Sequence, residues 1–356
     1  MTKRSTRLPG VSRRGFLLGS AAAMATVSGP LILVPGKAKA SEKLVLVSWG
    51  GQYREAVENA FVKPFTQQTG IPVTISDTPD LAKVKAQVAS KNIEWDVFDG
   101  VGSMAMAGAK EGLWEPIDKS IVDVSHLKTG VYPETVAFYM AAGGVAWDPK
   151  RYPDGKHPTD FKTYFDSKTF PGKRGLRTRV SETLEVALIA DGVAPRSLYP
   201  LDVERAFKSL DRIKPHVAKW IEATPQTITL LQSGEIDYSY TYASRVKPAQ
   251  ASGVSIQFSF DQTINLPEYL QIVRGSPNKQ AAMKFLAFAL KPDRLAAFCE
   301  TLGFIPNSDK AGAMLSAEAK KWQPNMASPN NAIMDDLWWR DNYVELEKRM
   351  KEWLLA

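Results

Sequence analysis

The chain has 356 residues, one cysteine and three histidines, with 45 Lys and Arg against 38 Asp and Glu for a formal net charge of +7. A single cysteine excludes an intramolecular disulfide, and so few thiols and imidazoles, in neither H-E-x-x-H nor C-x-x-C spacing, offer no metal or cofactor pattern. The positive charge is confined to the first forty residues, which hold seven basic and no acidic side chains. Residues 41–356 carry 38 of each sign and so lack the footprint of a nucleic-acid-binding domain.

The N-terminal segment has the order of an export signal. Ser12-Arg13-Arg14-Gly15-Phe16-Leu17 is a twin-arginine motif, an apolar stretch follows over 18–34, and Ala38-Lys39-Ala40 fits the A-x-A pattern of a signal-peptidase site. Gly19, Ser20, Thr26, Ser28, Gly29 and Pro30 dilute the apolar run too far for a stable spanning helix. The mature protein is expected to start at Ser41, in the periplasm, after twin-arginine export and cleavage behind Ala40. No later run is long and apolar enough to cross a membrane, and what remains suffices for two lobes with cores of their own.

Residues 43–49 form an aliphatic run that predicts a buried strand, broken by Gly50-Gly51. A helix is expected over 52–69, with Val57, Ala60, Phe61 and Phe65 on one face, a kink at Pro64 and a stop at Gly70. A strand over 71–77, a helix over 81–90, a strand over 95–99 and a helix over 104–111 continue the alternation. Such alternation predicts a parallel sheet with helices on both faces, in which ligands lie beyond the carboxyl ends of the strands. Trp49-Gly50-Gly51 and Gly100-Val101-Gly102-Ser103 are those ends.

Residues 136–147 read as a long strand crossing out of the first lobe, and 149–175, rich in Pro, Gly and Lys, as a surface connection. Helices are expected near 181–190, 202–214, 224–233 and 278–290, with another from Pro292, and strands at 237–242, 254–260 and 268–273. Trp339, Tyr343, Leu346, Met350 and Trp353 recur at 4-3-4-3 spacing, an apolar helical stripe expected to pack on the body.

Several blocks in this order resemble one family. They are Leu44-Val45-Leu46-Val47-Ser48-Trp49-Gly50-Gly51-Gln52-Tyr53, Trp95-Asp96-Val97-Phe98-Asp99 with Glu111-Gly112-Leu113-Trp114-Glu115-Pro116-Ile117, and Gly143-Gly144-Val145-Ala146-Trp147. Leu231-Gln232-Ser233-Gly234-Glu235-Ile236-Asp237, Tyr242-Ala243-Ser244-Arg245 and Arg274-Gly275-Ser276-Pro277-Asn278 follow. Together they resemble the extracytoplasmic solute-binding proteins of ABC importers, in the branch typified by spermidine/putrescine-binding proteins. The resemblance implies the type II periplasmic-binding-protein fold: two α/β lobes, each a mixed sheet flanked by helices, joined by a hinge of crossover strands. The expected division is 41–145 for the first part of lobe 1, 146–258 for lobe 2 and 259–356 for the return, with a second crossing near 255–265. It also implies a monomeric, non-catalytic receptor without a cofactor, delivering its solute to ABC permease subunits. An exported enzyme on a small charged metabolite is the alternative, although no G-x-S-x-G, G-x-G-x-x-G or haem pattern supports it.

The resemblance assigns Trp49 and Tyr53 to first-lobe aromatic positions, where an indole face attracts an ammonium; the other reading of Trp49 is a core cap on the strand end. Gly50 and Gly51 bring backbone to the same strand end. Ser103 and the amides of Gly102 and Ser103 are placed either to hold a ligand oxygen or to cap a helix. Tyr238, Tyr240 and Tyr242 alternate and share one strand face, with Tyr242 the cleft candidate. Ferric-binding relatives use adjacent tyrosines, which this chain lacks. Arg245 stands where the polyamine binders carry an aspartate, and a guanidinium forks onto a carboxylate or phosphate, not an amine. Arg177 and Arg179, two apart, are candidates to join it. Glu268 matches an acidic position of the family, with Leu270 in place of a tryptophan, and is a candidate for an ammonium; Asp99 is the other acid at a strand end. Arginines with an acid and aromatics predict a solute bearing both signs, an ω-amino acid or opine-like conjugate, with polyamine as the family default.

Overall fold

The computed structural model describes residues 43–356; the twin-arginine motif, the apolar stretch and the cleavage triplet lie outside the described residues. Eleven strands occur in these residues: β1 Leu44–Ser48, β2 Val73–Asp77, β3 Val97–Val101, β4 Thr135–Trp147, β5 Arg174–Arg177, β6 Val217–Ile221, β7 Tyr238–Tyr242, β8 Gln257–Phe258, β9 Ile264–Ile272, β10 Ile305–Pro306 and β11 Ala332–Ile333. Their hydrogen bonds join in one mixed sheet of order β2-β1-β3-β9-β4-β7-β5-β6, with β8 and β10 on β4 and β11 on β9.

The expected alternation holds for β1, β2 and β3, which run parallel. The sheet is not parallel throughout, because β9 returns antiparallel between β3 and β4. β4 explains why one network forms where two sheets were expected. Its thirteen residues pair with β9 from Thr135 to Gly143 and with β7 from Gly143 to Trp147, so one strand carries both hydrogen-bond ladders. Aliphatic, aromatic and glycine residues over its whole length leave every position buried.

The long first helix runs as Gln52–Val57, a π-helical turn Glu58–Val62, and Lys63–Thr69. Pro64 has no N–H to give the carbonyl four residues back, and the wider turn before it absorbs the irregularity expected as a kink. Gly70 ends the helix at φ 73°, as the sequence indicates.

Three elements depart from expectation between 149 and 221. The stretch read as a surface connection contains a helix, Phe161–Phe165, capped reciprocally by Asp160 and Thr163, and then β5. β5 reads Arg-Gly-Leu-Arg and shows no apolar alternation. It is buried because the Arg174 guanidinium is consumed by the carbonyls of Tyr164, Asp166, Phe170 and Gly172. β6 was not anticipated. The strand expected over 254–260 shrinks to the two residues of β8, while β9 begins earlier than expected.

The C-terminal helix, Asp336–Leu355, buries Trp339, Tyr343, Leu346 and Met350 against the helices Gly102–Lys110 and Val180–Ala190. Trp353 stacks edge-on with Trp220 and near Phe207, so the 4-3-4-3 stripe packs on the body as expected.

Candidate functional site

A cleft of about 420 Å³, its open mouth included, lies across the sheet. Its floor follows from strand register. Glu268 of β9 stands opposite Val101 of β3 on one side and Tyr139 of β4 on the other, and Leu266 stands opposite Ala141. All five side chains line the cleft. A bulge between Ala137 and Tyr139 leaves Phe138 as the extra residue and thereby sets Tyr139, not Phe138, against Glu268.

The walls come from carboxyl ends of strands, where ligands of open α/β sheets bind. Trp49 and Tyr53 follow β1. Arg177 ends β5, Arg179 follows it, and Thr224 follows β6. Tyr242 ends β7, and Ser244 and Arg245 open the helix Ala243–Ala251. Phe304, just before β10, completes the lining. Gly51 turns the chain at φ 67°, a left-handed value that favours glycine, and a Cβ there would lie 3.7 Å from Arg245 Nη1.

The charges are unevenly paired. Arg179 donates to Glu182 and, at 2.6 Å, to the Tyr242 hydroxyl, and it lies 5.8 Å from the Trp49 ring centre. Burial opposes its charge, but Glu182 holds the guanidinium protonated well above the usual range. Glu182 sits fully buried at φ 77°, and one of its oxygens also accepts from Tyr240 at 2.8 Å and Tyr242 at 2.6 Å. A bulky residue at positive φ is a strained conformation, and this network holds it there. Gly143 makes room for it: a Cβ at that position would fall 1.9 Å from the Tyr240 hydroxyl oxygen.

Arg177 has no such partner. It is 4 % exposed, and neither its Nε nor its Nη1 finds a hydrogen-bond acceptor. Arg245, 7 % exposed, reaches only neutral oxygens, the Gly50 carbonyl at 3.2 Å and the Thr224 hydroxyl at 3.4 Å, with its Cζ 6.0 Å from the Tyr53 ring centre. Burial lowers the pKa of both. Two desolvated guanidiniums without a counterion are costly, and a ligand carboxylate would offset that cost.

On the floor, the Trp49 indole N–H donates to Glu268 at 2.6 Å. Behind Glu268, Asp99 accepts on one oxygen from Ser48 at 2.7 Å and Tyr53 at 2.9 Å, and Tyr139 donates to the Tyr53 hydroxyl at 3.0 Å. Burial raises the Asp99 carboxyl to about 7 and, with the Asp99 charge beside it, pushes Glu268 well above the usual carboxylate range.

The cleft thus gathers Trp49, Tyr53, Arg177, Arg179, Tyr242, Arg245 and Glu268, with Gly50 and Gly51 at its edge through Arg245. Gly102 and Ser103 do not line it. Gly102 is pressed against Asp336, whose Oδ1 would lie 1.9 Å from a Cβ there, and the Ser103 hydroxyl donates to Ser181 at 3.2 Å. Their strand end is covered by the C-terminal helix, which sequence spacing did not place. Of the three alternating tyrosines only Tyr242 reaches the cleft; Tyr240 turns to Glu182, and Tyr238 stacks by Tyr152 and Arg174. The sequence reading missed Tyr139, Thr224, Ser244, Phe304 and Glu182. Tyr139 needed the bulge and Glu182 its backbone conformation, and neither has a signature in one sequence.

Residues 60–328 match the family model of bacterial extracellular solute-binding proteins. The gamma-aminobutyric acid-binding protein of Pseudomonas aeruginosa is 34 % identical over 325 residues, covering 88 % of this chain and 91 % of its own. The spermidine/putrescine-binding periplasmic protein of Escherichia coli is 24 % identical over 305 residues, 82 % of this chain and 85 % of its own. The solved structure of AgtB from A. tumefaciens R10 in complex with agropinic acid superposes with a TM-score of 0.82 at 30 % identity, covering 88 % of this chain and 99 % of its own. These matches bear out the α/β periplasmic-binding-protein fold and a role in capturing solute without catalysis. The chain belongs to the family of bacterial extracellular solute-binding proteins, in the branch that holds the γ-aminobutyrate- and spermidine/putrescine-binding proteins.

Proposed function

We propose that this receptor captures a small zwitterion, an ω-amino acid or opine-like conjugate, with its carboxylate on Arg177 and Arg245 and its ammonium by Glu268, Trp49 and Tyr53. The observation that carries the reading is Arg177, buried with two nitrogens unpartnered in the cleft that also holds Glu268. A polyamine brings no anion and leaves both guanidiniums uncompensated, whereas a zwitterion satisfies both ends of the site. The names of the relatives agree in class: one binds γ-aminobutyric acid, and another was solved with agropinic acid.

The same reading divides the chain into lobe 1 (41–145 and 259–356) and lobe 2 (146–258), with β4 and β9 as the crossover strands of the hinge. Solute bridging the two lobes favours the closed form, which docks on ABC permease subunits. Export by the twin-arginine pathway, cleavage after Ala40 and a monomeric state belong to it as well.

A thermal-shift and calorimetric panel of ω-amino acids, opines, dicarboxylates and polyamines tests it. A zwitterion is expected to bind tightest, and Arg245→Ala is expected to weaken it about ten-fold or more, roughly 1.4 kcal/mol. Tightest binding of putrescine, unchanged in Arg245→Ala, overturns the assignment.

A further inference from the structure

The two acids under the cleft have an unusual arrangement. Asp99 and Val101 are two apart on β3 and share a face, and Glu268 stands opposite Val101. Asp99 and Glu268 are therefore diagonal neighbours across the β3–β9 ladder, within reach of a glutamate side chain. Asp99 is 1 % exposed and Glu268 3 %, and neither forms an ion pair among the described residues. Asp99 Oδ1 is buried without any hydrogen-bond partner. Two desolvated carboxylates side by side, with no cation ion-paired to either, resist ionising together.

We infer that Asp99 and Glu268 act as one proton-exchanging unit, in which a proton held between them in the empty receptor is replaced by the solute's ammonium, so that capture releases a proton. The inference rests on the zwitterion reading and adds to it a role for Asp99, a residue outside the cleft lining. Asp99 is a positioning residue: it keeps a second negative charge in reserve behind Glu268, which alone faces the solute. The balance is simple. R–NH₃⁺ enters with its own proton, the carboxyl pair loses one proton to solvent, and no bond to carbon changes.

The groups around the pair permit this assignment. From the end of β1 and the helix that follows it come Ser48, Trp49 and Tyr53, all hydrogen-bond donors, and from β4 comes Tyr139. Burial, together with the nearby carboxyls, keeps Tyr53 and Tyr139 protonated far above neutral pH. From beyond β5, Arg179 and Glu182 act on Glu268 through space, but their hydrogen bonds are committed to each other and to Tyr242. Arg245 acts on Tyr139, Tyr53 and Tyr242, and its hydrogen bonds go to Gly50 and Thr224. Of the pair, Asp99 is raised to about 7 by burial, and Glu268 is pushed well above the usual carboxylate range by burial and by the Asp99 charge.

Two measurements decide it. First, γ-aminobutyrate is titrated into the protein by calorimetry at pH 6.5 in buffers of differing ionisation enthalpy. Release of close to one proton is expected, with affinity rising up to ten-fold per pH unit from pH 5 to 7. Binding with no proton release at either end of that range overturns the inference while leaving the zwitterion reading intact. Asp99→Asn is expected to abolish the release yet retain binding. Second, infrared spectra of the unliganded protein at pH 6.5 are expected to show a protonated-carboxyl band that Glu268→Gln or Asp99→Asn removes. Absence of any band lost in these variants contradicts the inference without recourse to a bound solute. Failure of γ-aminobutyrate and every other zwitterion to bind, with that band present, counts against the functional reading and leaves the shared proton standing.

Discussion

Arg177 is a buried guanidinium with no ion-pair partner among the described residues, and the proposed carboxylate contact gives that burial a reason. A guanidinium inside the protein with two unpartnered nitrogens costs folding free energy that a well-packed apolar side chain would not. Arg177→Met is therefore expected to raise the denaturation midpoint, by about 1 kcal/mol or more, while removing tight zwitterion binding. Chemical denaturation beside calorimetry checks both halves, and a variant that loses stability instead shows that the guanidinium is structurally paired. Gly143 makes a prediction of opposite kind. Its missing Cβ leaves the path of the Tyr240 hydroxyl to Glu182 open. Gly143→Ala is expected to cost about 1–3 kcal/mol by overpacking and to disturb the Glu182–Arg179 pair. An unchanged melting curve would mean that Tyr240 moves aside without penalty. At this scale the sequence was informative where period or spacing fixes a side chain. Alternation put the three tyrosines on one face, and spacing brought Arg177 and Arg179 together. It was silent on which of them is partnered, because that depends on Glu182, whose positive φ leaves no mark in a residue string.

Among the elements, β4 and β9 matter most to the site. Together they carry Tyr139, Ala141, Leu266 and Glu268 into the cleft and connect the strands of both halves. The long strand β4 was legible from an apolar run, and the start of β9 was not, because Asn265 and Pro267 interrupt its pattern. β5 was hidden for a different reason: Arg174 is buried by capping carbonyls rather than by apolar contact, and hydropathy cannot anticipate that. The C-terminal helix was legible from its stripe, and its interior supplies the next test. Trp339 is fully buried and its indole N–H donates to Glu185 at 2.7 Å. Trp339→Ala is expected to cost about 3–5 kcal/mol through the cavity it leaves. Trp339→Phe keeps most of the packing and loses only the donor to Glu185, so its cost should be clearly smaller; equal losses would show that the hydrogen bond, not the packing, holds the helix.

For the molecule as a whole, buried acids set the response to pH. Burial raises Asp336, Glu185 and Asp99 each to about 7. These groups ionise near pH 4 in an unfolded chain. Between those values the folded protein binds more protons than the unfolded one, so stability falls as pH rises through 7 and is greatest on the acid side of that window. Denaturation midpoints are expected to decline from pH 5.5 to 8, and a midpoint that climbs over this range would mean that the three carboxyls are ionised in the fold. Bound zwitterion should flatten the decline at the cleft while leaving the contributions of Glu185 and Asp336, which lie outside the lining. The central claim is that one cleft reads both signs of charge on a single small molecule. Its most direct measurement is a calorimetric comparison of the tightest zwitterion with the tightest polyamine, each on the wild type and on Arg177→Met. The account predicts that the zwitterion binds at least about ten-fold tighter and that the substitution erases the difference. A polyamine that binds tighter, with the substitution leaving both affinities unchanged, would contradict it.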